Sequence, residues 1–215
     1  MRVCNMTRLI LLRHGQSEAN RHVWWAGITD APLTELGHRQ AQAAADYLVA
    51  HEKIDAVYAS PLSRASNTAL PTAKAFGLPV IHEQDLIEID GGVWEGLPFH
   101  QLELRYALDR AKWFTDLGHA RCTGGETVAH LFDRVIAAAR RIAEKNEGKT
   151  VLLASHWTPV LCLLAQAQGH GLELIRKCTE PRNASLQILR FDNGVFTPEQ
   201  LNITAHLKNL CGGNV

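Results

Sequence analysis

Short apolar runs separated by amphipathic stretches set the rhythm of this 215-residue chain. Leu9-Ile10-Leu11-Leu12, Ile54-Asp55-Ala56-Val57-Tyr58-Ala59 and Thr150-Val151-Leu152-Leu153-Ala154 have the length of buried strands, and each stops abruptly at polar residues. Between them, apolar positions recur at helical spacing. A helix is predicted from an N-cap at Thr34 to about Glu52, with Ala41, Ala44, Ala45, Leu48 and Val49 as its packing stripe. A second is capped by Ser60, has Pro61 at its first position and ends near Gly77. Leu78-Pro79-Val80-Ile81 then reads as a short edge strand. Thr127 to Lys145 carries Val128, Leu131, Val135, Ile136 and Ile142 on one side, and Trp157 to Gln168 is an apolar, buried helix. Leu186 to Phe191, the turn Asp192-Asn193-Gly194 and Val195-Phe196 form a hairpin. Alternating strands and helices predict an α/β fold, a three-layer α/β/α sandwich around a mostly parallel central sheet, to which the hairpin adds antiparallel pairing.

The length suits one domain over residues 1–215. Its least regular stretch, about 86–125, reads as a cap segment, because Trp94, Trp113 and Phe114 argue against disorder. Lysine and arginine balance aspartate and glutamate at 22 each, which points away from a nucleic acid or a membrane surface as partner. The N-terminus lacks the long apolar core of a signal peptide. Cys4, Cys122, Cys162, Cys178 and Cys211 are odd in number and form no C-x-x-C pair, so reduced thiols and a cytoplasmic setting are expected. No His-Glu-x-x-His spacing occurs, and His119-x-x-Cys122 has no nearby partner. We expect neither a metal nor a cofactor.

The chemistry sits where the three apolar runs end. The first closes in Arg13-His14-Gly15, the second in Ser60-Pro61-Leu62-Ser63-Arg64, the third in Ser155-His156. A cation beside an imidazole is costly to bury unpaired. In an open α/β sheet, however, the carboxyl ends of the strands face the ligand crevice. Each run precedes a helical pattern, so three helix N-termini would aim partial positive charge at one spot. Arg13 and Arg64 add guanidinium forks suited to a tetrahedral dianion, without a glycine-rich P-loop. His14 is then positioned to attack phosphorus, and His156, if cationic, to stabilise the equatorial charge. A proton donor is needed for the leaving alkoxide, and the residues alone leave Glu88 and Glu95 both open.

Arg13-His14-Gly15-Gln16-Ser17-Glu18-Ala19-Asn20, Thr34-Glu35-Leu36-Gly37, Ser60-Pro61-Leu62-Ser63-Arg64-Ala65, Glu88 with Trp94-Glu95-Gly96, Gly124-Gly125-Glu126-Thr127 and Ser155-His156 together resemble the histidine phosphatase superfamily, in its phosphoglycerate mutase-like branch. The resemblance runs from about Leu9 to His156 in the family's order. It implies His14 as the phosphorylated nucleophile and Arg13, Arg64 and His156 as the rest of the phosphate pocket. Asn20 is a further contact, Glu88 the proton donor, and Glu95 a structural part of its turn. Two positions depart from the family pattern: Trp157 stands where glycine usually follows the second histidine, and Ala26 precedes Gly27 where glutamine is common. Gly27 and Trp157 are therefore taken as substrate-binding positions.

The interval from Glu88 to His156 is short; before its long helix it has Arg105, Arg110 and Arg121 but no adjacent arginine pair, and Arg140-Arg141 reads as the solvated face of that helix. That resembles the phosphatases more than the mutases. The reading is a phosphatase of small-molecule phosphate monoesters acting through a phosphohistidine. The alternatives are a cofactor-dependent phosphoglycerate mutase and a non-catalytic phosphatase-like binding module. A homodimer is compatible with either. One of the adjacent pair Trp24 and Trp25 should line the mouth of the site, since neighbours on a regular strand face opposite ways, and His22 is within reach of the pocket.

Overall fold

A computed structural model describes residues 6–210; Cys4 and Cys211 fall outside them. The three apolar runs form β1 (Thr7–Arg13), β2 (Ala56–Ala59) and β4 (Thr150–Ser155). With β3 (Val80–His82), β5 (Leu186–Asp192) and β6 (Val195–Ile203) they make one sheet in the order β3-β2-β4-β1-β5-β6. The pairs β2/β3, β2/β4 and β1/β4 are parallel, and β1/β5 and β5/β6 are antiparallel. Proline at 79 leads into β3, which lies at the edge as expected. The hairpin turn puts Asn193 and Gly194 at φ 49° and 80°, the left-handed pair that a two-residue connection requires.

The pleat sorts the central strands between two cores. Leu9, Leu11, Val151 and Leu153 face one way and pack under α6 (Val128–Lys145) and α7 (Trp157–Ala167). Ile10, Leu12, Leu152 and Ala154 face the other way, against α2 (Glu35–His51) and α3 (Ser63–Ala75). The short α1 (Glu18–His22) follows β1, and α4 (Phe99–Arg105) and α5 (Ala107–Thr115) fall within the stretch 86–125. Three layers follow from period-2 alternation on strands with no solvated face. No helix among the described residues is long and apolar enough to cross a membrane. Cys122, Cys162 and Cys178 are buried free thiols.

Two local expectations are corrected. Val49 is 53% exposed, outside the packing stripe of α2, which is carried by Ala41, Ala44, Ala45 and Leu48. Ser60 does not cap α3. That helix starts at Ser63, whose backbone N–H donates to Asp30 at 2.9 Å, and Leu62 holds the N-cap position with no side-chain bond. Asp30 supplies from a distant loop the acceptor that Ser60 was expected to provide, and Ser60 is released to the site.

Candidate active site

Because β1, β2 and β4 are parallel neighbours, their carboxyl ends lie side by side. There they open into a cavity of about 360 Å³ lined by Arg13, His14, Arg64, Glu88 and Trp157 among others. The strand order brings positions as far apart as 13, 64 and 157 to one place, and the turn that carries Glu88 folds over them.

His14 is 5% exposed, and its Nδ1 lies 2.7 Å from the Gly15 carbonyl. A carbonyl only accepts, so Nδ1 carries the proton and Nε2 the lone pair. Burial, then the Arg64 and Arg13 charges, push the His14 pKa well below the usual imidazole value. The ring is therefore a neutral nucleophile of fixed tautomer at physiological pH.

Arg64, 1% exposed, sits in a cradle of acceptors. Its Nε donates to His156 Nδ1 at 3.1 Å, Nη1 to the Thr29 carbonyl at 2.9 Å, and Nη2 to the Gly27 and Ala26 carbonyls at 2.6 and 3.2 Å. Four of five N–H groups are thus engaged, which leaves one on Nη1 for an incoming oxygen. The loop that bears the cradle is tied by Glu95, whose carboxylate accepts from the backbone N–H of Gly27, Ile28, Thr29 and Gly91 at 2.8–3.2 Å. Glu95 acts on the site through Arg64. Gly27 has the same place: it is not part of the cavity wall, and it holds Arg64 through its carbonyl.

The His156 ring corrects a further expectation. It accepts from Arg64 at Nδ1, and its Nε2 donates to Ser60 Oγ at 2.8 Å. Burial and the neighbouring Arg64, His14 and Arg13 drive its pKa well below the ordinary value. It is a neutral donor, not the imidazolium considered from sequence, because a guanidinium occupies the face where a proton would sit. Ser60 was foreseen only as a helix cap. Its side chain orients His156, a pairing across strands that no local pattern announces.

Arg13 donates from Nη1 to the Pro181 carbonyl at 2.7 Å, and its buried Nε has no partner among the described residues. Burial lowers its pKa to about 10, so it stays cationic. Glu88 is 7% exposed, and burial raises its carboxyl pKa against the backbone N–H of Ile89 at 2.8 Å and of Thr158 at 3.3 Å. A buried carboxyl with a raised pKa beside a neutral imidazole is an acid–base pair separated by environment.

Asn20 lies in the cavity wall, where its Oδ1 accepts from Ser17 N at 3.0 Å in a capping box and from Asn183 Nδ2 at 3.1 Å. Both Trp24 and Trp25 line the cavity. Trp25 meets Trp94 and Trp113 edge-on at 5.0 and 4.9 Å between centroids. Trp157 is a wall of the cavity and also packs against the core beneath. His22 pairs with Glu18 at 3.4 Å on the surface, outside the cavity lining. Sequence reasoning missed Arg176 and Glu180, which pair at 3.1 Å in the lining; they follow α7 in an irregular stretch without periodicity. Arg110 also lines the cavity, with its guanidinium 4.5 Å from the Phe114 ring centroid.

The family model of the histidine phosphatase superfamily (branch 1) matches residues 9–204. The bifunctional protein Rv2228c of Mycobacterium tuberculosis is 38% identical over 94% of this chain and 55% of its own length. The chain thus spans about half of that relative. Phosphoserine phosphatase 1 of Hydrogenobacter thermophilus is 33% identical, over 94% of this chain and 95% of that protein. Among solved structures, YhfR of Bacillus stearothermophilus superposes with a TM-score of 0.88 at 27% identity, covering 94% of this chain and all of that one.

Proposed function

We propose that this chain, which belongs to the histidine phosphatase superfamily (branch 1), is a phosphatase that hydrolyses small-molecule phosphate monoesters through a phosphohistidine at His14, without metal or cofactor. One observation carries the reading. A neutral imidazole, its Nδ1–H held by the Gly15 carbonyl, shares one cavity with two guanidinium groups and a buried carboxyl of raised pKa.

The chemistry follows from these groups. Arg13 and the spare N–H of Arg64 hold the phosphoryl oxygens, His156 braces Arg64 from behind with both ring nitrogens engaged, and Asn20 closes that end. The His14 Nε2 lone pair forms a bond to phosphorus while the ester P–O bond breaks in line. Glu88 passes its proton to the departing oxygen. Positive charge that develops on the His14 ring is stabilised by the Gly15 carbonyl at Nδ1. The Glu88 carboxylate then takes a proton from water, whose oxygen attacks phosphorus, and the P–N bond breaks to release phosphate and restore both groups. Trp157, Trp24 and Trp25 shape the space for the leaving group, and residues 86–125 form the cap above it. The same reading sets the enzyme in the cytoplasm, with a small phosphate monoester rather than nucleic acid as its partner, as a monomer or a homodimer. A phosphoserine phosphatase among the relatives makes phosphorylated hydroxy acids a reasonable part of the first substrate panel.

The test is phosphate release from a panel of monoesters with and without chelator, including 3-phosphoglycerate with a bisphosphate primer. The reading predicts release that a chelator leaves unchanged. Isomerisation without net release would establish a mutase instead. Phosphate binding with no turnover of any ester would establish a binding module.

A further inference from the structure

The Gly124-Gly125-Glu126-Thr127 motif takes no part in the chemistry above, yet it is built against the turn that carries Glu88. Glu126 is 9% exposed at its side chain and receives Arg134 Nε at 2.8 Å and Nη2 at 2.9 Å, a bidentate fork. The same guanidinium reaches the other way. Its Nη1 donates to the carbonyls of Asp85 at 2.8 Å and Ile87 at 2.9 Å, and its Nη2 to the carbonyl of Glu88 itself at 3.1 Å. Glu126 N–H donates to the Asp90 carbonyl at 2.9 Å, on the far side of Glu88. The glycines make the approach possible. A Cβ on Gly92 would collide with Gly124 and Gly125, and one on Gly125 with the Asp90 carbonyl and Gly92. Gly92 and Gly124 also take φ of 54° and 70°.

Every donor bond from Arg134 therefore ends on Glu126 or on a backbone carbonyl between residues 85 and 88. The guanidinium fixes the backbone of the acid-bearing turn to helix α6, which packs on the sheet. A carboxyl that must deliver a proton along one line is sensitive to displacements of about 1 Å. We propose that Arg134, held by Glu126, is a positioning residue for the Glu88 carboxyl, and that the paired glycine turns exist to let this clamp close. The proposal rests on Glu88 being the proton donor.

Leaving-group dependence tests it. The value of kcat/KM covers steps up to departure of the alcohol, so it reports protonation of the leaving oxygen and not later hydrolysis. An alkyl ester needs that proton, whereas a nitrophenyl ester scarcely does. Arg134→Lys keeps a charge beside Glu126 but has three donors on one nitrogen in place of the fork. We expect it to lower kcat/KM for glycerol phosphate at least tenfold more than for 4-nitrophenyl phosphate. Glu126→Gln, which leaves Arg134 and its carbonyl bonds in place, should show the same selective loss in milder form. Glu88→Gln is measured alongside. If Glu88→Gln shows no alkyl-selective loss, the proton-donor reading fails. If it does while both clamp variants lose the two esters equally or lose neither, the clamp is structural and the proposal is overturned. Should Arg134→Lys not fold, Glu126→Gln decides alone.

Discussion

Replacing Arg64 by lysine tests the cationic cradle quantitatively. The guanidinium serves four acceptors: the carbonyls of Ala26, Gly27 and Thr29 and the His156 ring nitrogen. A lysine ammonium has three N–H groups on one atom, so at least one of these buried acceptors goes unmet. Leaving a buried acceptor unsatisfied costs about 1–3 kcal/mol. For a chain of this size, 1 kcal/mol shifts the melting temperature by about 2–4 °C, so a drop of about 2–12 °C is expected. The spare Nη1 donor is lost as well. A hydrogen bond to a charged group contributes about 1.5–3 kcal/mol, which corresponds to a fall in kcat/KM of roughly 10- to 150-fold. The assay pairs a calorimetric melt with kcat/KM for 4-nitrophenyl phosphate at a pH where the substrate is a dianion. A variant that melts within about 1 °C of the parent and keeps half its activity would refute the cradle, because a point charge would then do all that the fork does.

Four further outcomes follow from the site. Because burial raises the Glu88 pKa, its proton, and with it kcat/KM for alkyl esters, is lost as pH rises through that raised value; Glu88→Gln should abolish this limb, and its persistence would assign it to another group. By the same linkage, protonated Glu88 favours the fold below the ordinary carboxylate pKa of about 4.3, and this contribution fades as pH climbs through the folded-state value. Trp157→Gly should widen acceptance of bulky esters while keeping small ones within about tenfold, or 1.4 kcal/mol of barrier, with a melt run beside it because glycine in a helix costs about 1 kcal/mol. Equal loss on all esters would make Trp157 a packing residue only. Arg110 has a buried Nε with no partner among the described residues and lies against three aromatic rings in the cavity wall. Arg110→Gln should therefore reduce any preference for esters with an acidic tail over matched neutral ones, as read from the ratio of their kcat/KM values.

The strands, their shared edge and the layered architecture were legible because the signals are local: short apolar runs of period two, each closed by polar residues. Residues such as His14, Arg64, Glu88 and His156 were legible because they sit at strand ends or within recognisable motifs. What escaped was set by contacts distant in sequence. Asp30 caps α3 from 33 residues away, which freed Ser60 for His156 across 96 residues. The tautomer and charge of His156 depend on Arg64, which no reading of Ser155-His156 alone contains. Gly27 stood near the site in sequence, yet it serves Arg64 from behind. Arg176 and Glu180 come from irregular chain after α7, where neither periodicity nor motif marks a residue.

The proposed mechanism requires that the His14 Nε2 become phosphorylated. Rapid acid-free quenching of the enzyme with radiolabelled phosphate monoester, followed by peptide mapping, tests it most directly. Label is expected on the peptide that contains His14, stable to alkali and lost in acid, and absent along with turnover in His14→Ala. Turnover without such label, label at another residue, or activity surviving in His14→Ala would contradict that mechanism.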